Sequence, residues 1–280
     1  MFMYLMPSLF LNLLLNIKFK KINPVINRLS SYKIKTMKNV IIVVVFLLGL
    51  VLVQFVNGQS VDDIIDQYIS ARGGTEKLAA INSLYMEGTR EMMGNEVQVK
   101  VTKVNEKLNR VDFEFGGNSG YTIITPEKGW TYIPMRSDKA EEMPAERLKA
   151  VQDQMDIAGP LFNYSAKGYK ASLEGKDSVN GNEAWKIVLT NAAGKTDTFL
   201  IDSKTHLLIQ SRQTIEGGGR RNANGPTEVI TDFSDYKEVD GVLFPQTITT
   251  EGSGMGSGSM TFDKIEVNQP VNENLYKPSN

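Results

Sequence analysis

Val97-Gln98-Val99-Lys100-Val101-Thr102 and, a little further on, Val111-Asp112-Phe113-Glu114-Phe115 place an apolar side chain at every second position. Successive side chains of a strand point to opposite faces, so a period of two specifies strands with one dry face and one wet face. The alternation starts at Leu84 and returns at residues 121–125, 129–133, 185–189, 196–202, 207–215, 228–236, 242–250 and 259–267. Gly116-Gly117-Asn118, Asn180-Gly181-Asn182, Ala193-Gly194, Asp202-Ser203-Lys204 and Asp240-Gly241 separate these runs. Such residues accept positive φ or bond their own backbone, which makes tight turns. About ten strands joined this way predict an antiparallel meander.

Upstream of Leu84 the period changes. Val61, Ile64, Ile65, Tyr68 and Ile69 form one apolar stripe at helical spacing, with Ser60 and Asp63 in capping-box positions and Gly73-Gly74 as the stop. Thr75 can cap a second short helix carrying Leu78 and Ile81. After the first five strands Pro144 opens another helix, whose Leu148, Val151 and Met155 share a face before Gly159-Pro160 ends it. The expected fold class is α+β, mostly antiparallel β: a sheet of about ten strands, an N-terminal helix pair and a helical insertion. No repeat of solenoid period is present.

The N-terminal part has a different character. Met37-Lys38, the apolar run 40–53 and Val56-Asn57-Gly58 have the layout of a secretory signal peptide over residues 37–58, cleaved before Gln59. Residues 1–36 are a doubtful extension; its apolar run 5–17 falls short of the ~20 residues of a span, and an upstream start preceding the true Met37 explains it most simply. The expected mature chain, 59–280, is one domain of 222 residues. Seven of the 31 Lys and Arg residues and none of the 32 Asp and Glu residues precede it, which leaves 24 against 32 and a net charge of −8. That balance argues against nucleic acid or anionic headgroups as partners, since both rely on basic clusters. The absence of Cys removes thiolate chemistry, disulfides and cysteine metal sites.

Polar motifs give little catalytic promise. His206 is the single histidine; it follows a turn, with no nucleophile and orienting carboxylate at a local spacing. Asp232, Asp235, Glu238 and Asp240 lack a regular calcium-loop spacing, and the adjacent Glu141 and Glu142 point apart. Gly217-Gly218-Gly219-Arg220-Arg221 and the glycines of 252–258 lie between strands, whereas a phosphate cradle leads into a helix. These features imply neither a metal nor a cofactor.

Several stretches carry a family resemblance. They are Ala71-Arg72-Gly73-Gly74-Thr75-Glu76-Lys77-Leu78 followed by Ile81 and Leu84, the segment from Tyr121 through Thr125-Pro126-Glu127-Lys128-Gly129-Trp130 to Tyr132, the hairpin from Phe199 through Asp202-Ser203-Lys204-Thr205-His206 to Ile209, residues 236–245 with Asp240-Gly241, and the closing Ile265-Glu266-Val267-Asn268 through Leu275-Tyr276-Lys277-Pro278. Together they resemble the LolA/LolB-like superfamily of periplasmic lipoprotein-sorting proteins. The resemblance implies a strongly curved, unclosed half-barrel with a helical lid over an apolar hollow, acyl chains as cargo, and an arginine near 101–110 that latches the lid. Arg110 is the arginine that stands there. The glycine-rich segments 217–225 and 252–258 depart from the carrier pattern.

The resulting expectation is an exported, non-enzymatic binder or carrier of acyl chains or lipoproteins in the periplasm. Trp130, Tyr132, Met135, Leu148, Val151, Met155 and Phe162 are the expected lining of its hollow. The alternative is an envelope interaction module of the same fold, with a filled core and a protein partner. A hydrolase would need a site assembled around His206 in three dimensions.

Overall fold

A computed structural model describes residues 59–280 apart from 93, 135, 216–225, 253–256 and 280. The expected signal peptide and extension therefore lie outside the described residues, as does Met135.

Two helices open the fold: α1 (Val61–Ala71) and α2 (Thr75–Ala79). Six strands follow: β1 (Ser83–Met92), β2 (Asn95–Val104), β3 (Leu108–Phe115), β4 (Asn118–Ile124), β5 (Gly129–Tyr132) and β6 (Glu141–Glu142). Helix α3 (Ala145–Val151) runs into a 3-10 turn (Gln152–Met155). Seven more strands complete the sheet: β7 (Lys170–Val179), β8 (Asn182–Thr190), β9 (Thr196–Asp202), β10 (Leu208–Ile215), β11 (Thr227–Val239), β12 (Val242–Glu251) and β13 (Gly258–Val267). A last 3-10 turn (Glu273–Tyr276) sits in the C-terminal tail.

All thirteen strands form one antiparallel sheet in the order β6-β5-β4-β3-β2-β1-β13-β12-β11-β10-β9-β8-β7. It consists of two meanders, joined where β1 pairs with β13. The edges β6 and β7 do not pair, so the curved sheet stays unclosed. Since β6 and β7 are consecutive in the chain, the connection 143–169 has to travel from one edge of the sheet to the other. That topology makes it a cover.

Residues opposite one another across an antiparallel pair share a face. One row runs Val267, Leu84, Lys103, Asn109, Ile124, and the next runs Ile265, Met86, Val101, Val111. This inner face carries the main core, capped by Ile64, Ile65, Tyr68 and Ile69 of α1 and by Ile157, Leu161 and Phe162 of the connection. Burial of each such side chain is worth about 1.5–3 kcal/mol, which is what holds so short a helix in place. Ser60 and Asp63 make the expected capping box. Gly73 is required for approach: a Cβ there would lie 2.3 Å from the Gly241 carbonyl oxygen, and the Leu243 N–H donates to Arg72 O at 2.9 Å. The opposite, outer face holds a smaller cluster of Leu108, Tyr121 and Ile123, covered by Val271, Leu275 and Tyr276 of the tail.

The count of about ten strands falls short of thirteen because β6 has two residues and β7 lies at an edge with a register shift between Leu173 and Lys176. A bulge breaks the period on which strand recognition depends. Among the described residues, no helix is long and apolar enough to cross a membrane.

Candidate ligand-binding face

The inner face is paved with more apolar side chains than the helices bury. Phe113, Phe115, Phe233, Ile248, Met260 and Ile265 are only partly buried against the main core. The ring of Phe113 folds over Gly120, where an added Cβ would come within 2.3 Å of it. Under α3 a satellite cluster joins Ile124, Met143, Leu148 and Met155, with Val151 at its margin. Met143 and Leu148 fill the space left by Gly129, since a Cβ there would meet the Met143 sulfur at 2.7 Å.

The connection 143–169 is fastened at a few polar points. Asn109 Nδ2 donates to Gln154 Oε1 at 3.2 Å, the Ile157 N–H donates to Asn105 Oδ1 at 3.2 Å, and the Tyr164 hydroxyl donates to Asp62 of α1. The strongest tie is Arg72, only 6 % exposed. Its Nη1 donates to Ala158 O at 2.7 Å and to the Tyr68 hydroxyl at 3.2 Å, while its Nε reaches Leu243 O at 3.4 Å. The guanidinium lies over the rings of Tyr68 and Phe244. One side chain thus ties α1, the cover and β12 together.

A cavity of about 150 Å3 remains between the cover and the β8–β10 end of the sheet. Its walls include Asp153, Gln154, Tyr169, Lys195, Asp197 and Gln213. Burial raises the Asp197 carboxyl above its ordinary value, opposed by Lys195 at 3.6 Å. Burial and the nearby Asp153 push Tyr169 up to about 12. On the inner face near the cover, Lys103 is partly buried; desolvation lowers its pKa to about 8, with Asp156 acting in the opposite sense.

The residues expected to line one hollow occupy three places. Leu148, Val151 and Met155 are together under α3, whereas Phe162 belongs to the main core. Trp130 and Tyr132 pack on the outer face with Tyr121 and the tail, the two tyrosine rings 5.4 Å apart. The pleat explains this placement. Trp130 pairs with Ile123 and, through it, Arg110, a row facing away from the cover. Arg110 is likewise not the latch that the resemblance implied. It holds Asp112 bidentately, stacks 4.7 Å from the Tyr121 ring centroid and donates to Leu275 O at 3.2 Å, securing the tail. Arg72 does the latching. Its sequence signal was the Ala71-Arg72-Gly73-Gly74 stretch, where an arginine stands at a helix end beside two glycines.

His206 sits at φ 58° in the β9–β10 turn, its N–H donating to Asp202 O at 3.0 Å. Asp202 accepts from the Lys204 and Thr205 N–H groups and from the Thr205 hydroxyl, so this carboxylate builds the turn.

Two solved structures share this architecture. One is a LolA superfamily protein from Nitrosomonas europaea, at TM-score 0.50 and 8% identity, with 78% of this chain and 98% of that chain covered. The other is a DUF1329 family protein from Desulfovibrio piger, at TM-score 0.51 and 12% identity, with 78% and 97% covered. The chain has a LolA-like fold. No protein-family model matches the sequence, and no curated protein matches it. A LolA-like fold at such low identity fixes the scaffold: the curved sheet, the inner face and the cover across it.

Proposed function

We propose that the protein is an exported, non-enzymatic binder or carrier of acyl chains or lipoproteins in the periplasm, shielding its cargo on the inner face of the sheet. The observation that carries this reading is the partly buried apolar lane of Phe113, Phe115, Phe233, Ile248, Met260 and Ile265, lying beside a cover held by a few hydrogen bonds. The LolA-like fold supports it.

Shielding requires the cover to give way. Lifting Leu148, Met155, Ile157, Leu161 and Phe162 would expose five buried side chains, a cost of about 7–15 kcal/mol at about 1.5–3 each. An acyl chain of palmitoyl length returns about 12 kcal/mol at about 0.8 per methylene. The exchange is close to balanced, as a carrier needs if it is both to load and to release. An envelope interaction module with the same fold is the second reading, favoured by the fully buried Val97 and Phe262 of that face and by Ile64 of α1 packed over it.

Native mass spectrometry of the protein purified from an envelope fraction separates the two. A fatty acid, phospholipid or lipopeptide bound at near one-to-one is expected. A clean apo mass, with no uptake of added lipid, would move the assignment to the interaction module.

A further inference from the structure

The cavity beside the cover is walled from two sides. Leu189, Asp197 and Gln213 stand opposite one another on β8, β9 and β10, so they share one face of the sheet. Asp153 and Gln154 come from the 3-10 turn of the cover, and Tyr169 from its end, just before β7. In the turn after β8, Asn191 Oδ1 accepts the Ala193 and Lys195 N–H groups, and the Lys195 side chain is 43 % exposed.

Charge and hydrogen bonding are incomplete there. Two carboxylates and one lysine give the wall a net charge of −1, and Asp153 is near enough to Asp197 to repel it. The Tyr169 hydroxyl interacts with Asp153. Lys195 Nζ stands 3.6 Å from Asp197 Oδ1, which makes an ion pair but is too long for a hydrogen bond. That buried oxygen receives no hydrogen bond from the protein. A buried acceptor left so is costly, and an ion pair to an exposed lysine offsets little of the cost. Two carboxylates fall well short of the oxygen ligands that calcium takes. A primary ammonium, with three N–H donors, can serve both carboxylates and the neighbouring Gln213 amide. At about 150 Å3 the cavity has the size that holds a molecule of about six non-hydrogen atoms.

We propose that this cavity binds a short primary ammonium, free or as the headgroup of an amino-lipid, between Asp153 and Asp197. With a headgroup, Lys195 meets the phosphate. This site goes beyond the carrier reading and does not depend on it. Asp153 belongs to the cover and Asp197 to the sheet, so the bound cation also fastens one to the other.

The test titrates ethanolamine, its neutral isostere ethylene glycol, glycerophosphoethanolamine, glycerophosphocholine and calcium chloride against the full chain, by calorimetry at neutral pH and one ionic strength. Ethanolamine should bind with a Kd of roughly a millimolar, about 10-fold or more tighter than the glycol, the range of a charge-assisted hydrogen bond. Asp153→Asn and Asp197→Asn keep the size and remove the charge, and each should weaken ethanolamine about 10-fold or more. If one variant does not fold, the other and the wild-type ratio decide. Lys195→Gln should weaken ethanolamine by no more than about two-fold. Bound ethanolamine should slow amide exchange at 152–156. Glycerophosphocholine, which lacks ammonium N–H groups, should bind about 10-fold more weakly than glycerophosphoethanolamine. Glycerophosphoethanolamine binding tighter than ethanolamine, with the advantage lost in Lys195→Gln, identifies a lipid headgroup; the reverse order identifies a free amine. Equal binding of ethanolamine and the glycol, calcium binding tighter than either amine, unchanged affinity in both Asn variants, or no binding of either amine would overturn the site. Lipid uptake seen by native mass spectrometry would stand in each of those cases, so the carrier reading fails or holds separately.

Discussion

Arg72→Met removes the tie between α1 and the cover while keeping most of the side chain's volume. The lost charge-assisted bond to Ala158 O, 2.7 Å long, is worth about 1.5–3 kcal/mol. The bond to the Tyr68 hydroxyl at 3.2 Å adds about 1 kcal/mol. Ring contacts at 5.7 and 5.9 Å lie near the limit of the cation–π range and add about 0.5 kcal/mol each. Relief of the guanidinium's desolvation acts in the opposite direction. The net expectation is a loss of about 3 kcal/mol, a fall of about 6–12 °C in Tm for a domain of this size. Because Ala158 is in the cover, part of the loss should be local: amides of 157–162 should exchange roughly 100-fold faster, while those of β1 and β2 follow global stability alone. Arg72→Lys, which keeps the charge and one donor direction, should recover part of both effects. Urea denaturation and hydrogen exchange by mass spectrometry read the two quantities. A loss below about 1 kcal/mol, or a larger loss without faster exchange in the cover, would refute the latch.

Gly88→Ala should be among the most damaging single changes, costing more than about 3 kcal/mol. A Cβ there would sit 2.0 Å from Thr261 O at the β1–β13 bulge, where only backbone could yield; a melting curve like the wild type's would contradict that packing. Lys103→Met should stabilise the protein below pH 8 and lose that advantage between about pH 8 and 10.5. In that window the wild-type folded lysine is neutral while the unfolded one still carries a proton, so wild-type stability rises with pH relative to the variant. A pH-independent difference in denaturant midpoint would show that Lys103 is not desolvated. Arg110→Gln should loosen the tail, raising exchange at 271–279 by about 10-fold or more with the sheet unaffected; unchanged tail protection would mean that apolar contact alone holds it.

Much of the scaffold was legible before any coordinates. Strands β2 to β5 and β8 to β13 follow from alternation, and α1 follows from a stripe and a capping box, because these signals are local and need no partner to be read. The candidate site was legible only in part. Leu148, Val151 and Met155 do meet, since helical spacing within one element brings them together. Trp130 and Tyr132 were assigned to the same hollow on composition, yet which face of β5 turns inward depends on the register with β4, and a register is a property of pairs. Arg110, expected as the latch, faces the tail for the same reason, and Arg72, to which no role was assigned, faces the cover.

The sequence by itself determined most of the elements, their antiparallel succession, the acidic charge from Gln59 onward and the absence of cysteine chemistry. Each of these depends on neighbours a few residues apart or on composition. Tertiary structure alone decided that β1 closes onto β13, that residues 143–169 bridge the two edges, and that the tail covers the outer face. Those facts join residues tens to hundreds of positions apart, and only the cooperative burial of the whole sheet sets which side chains share a face.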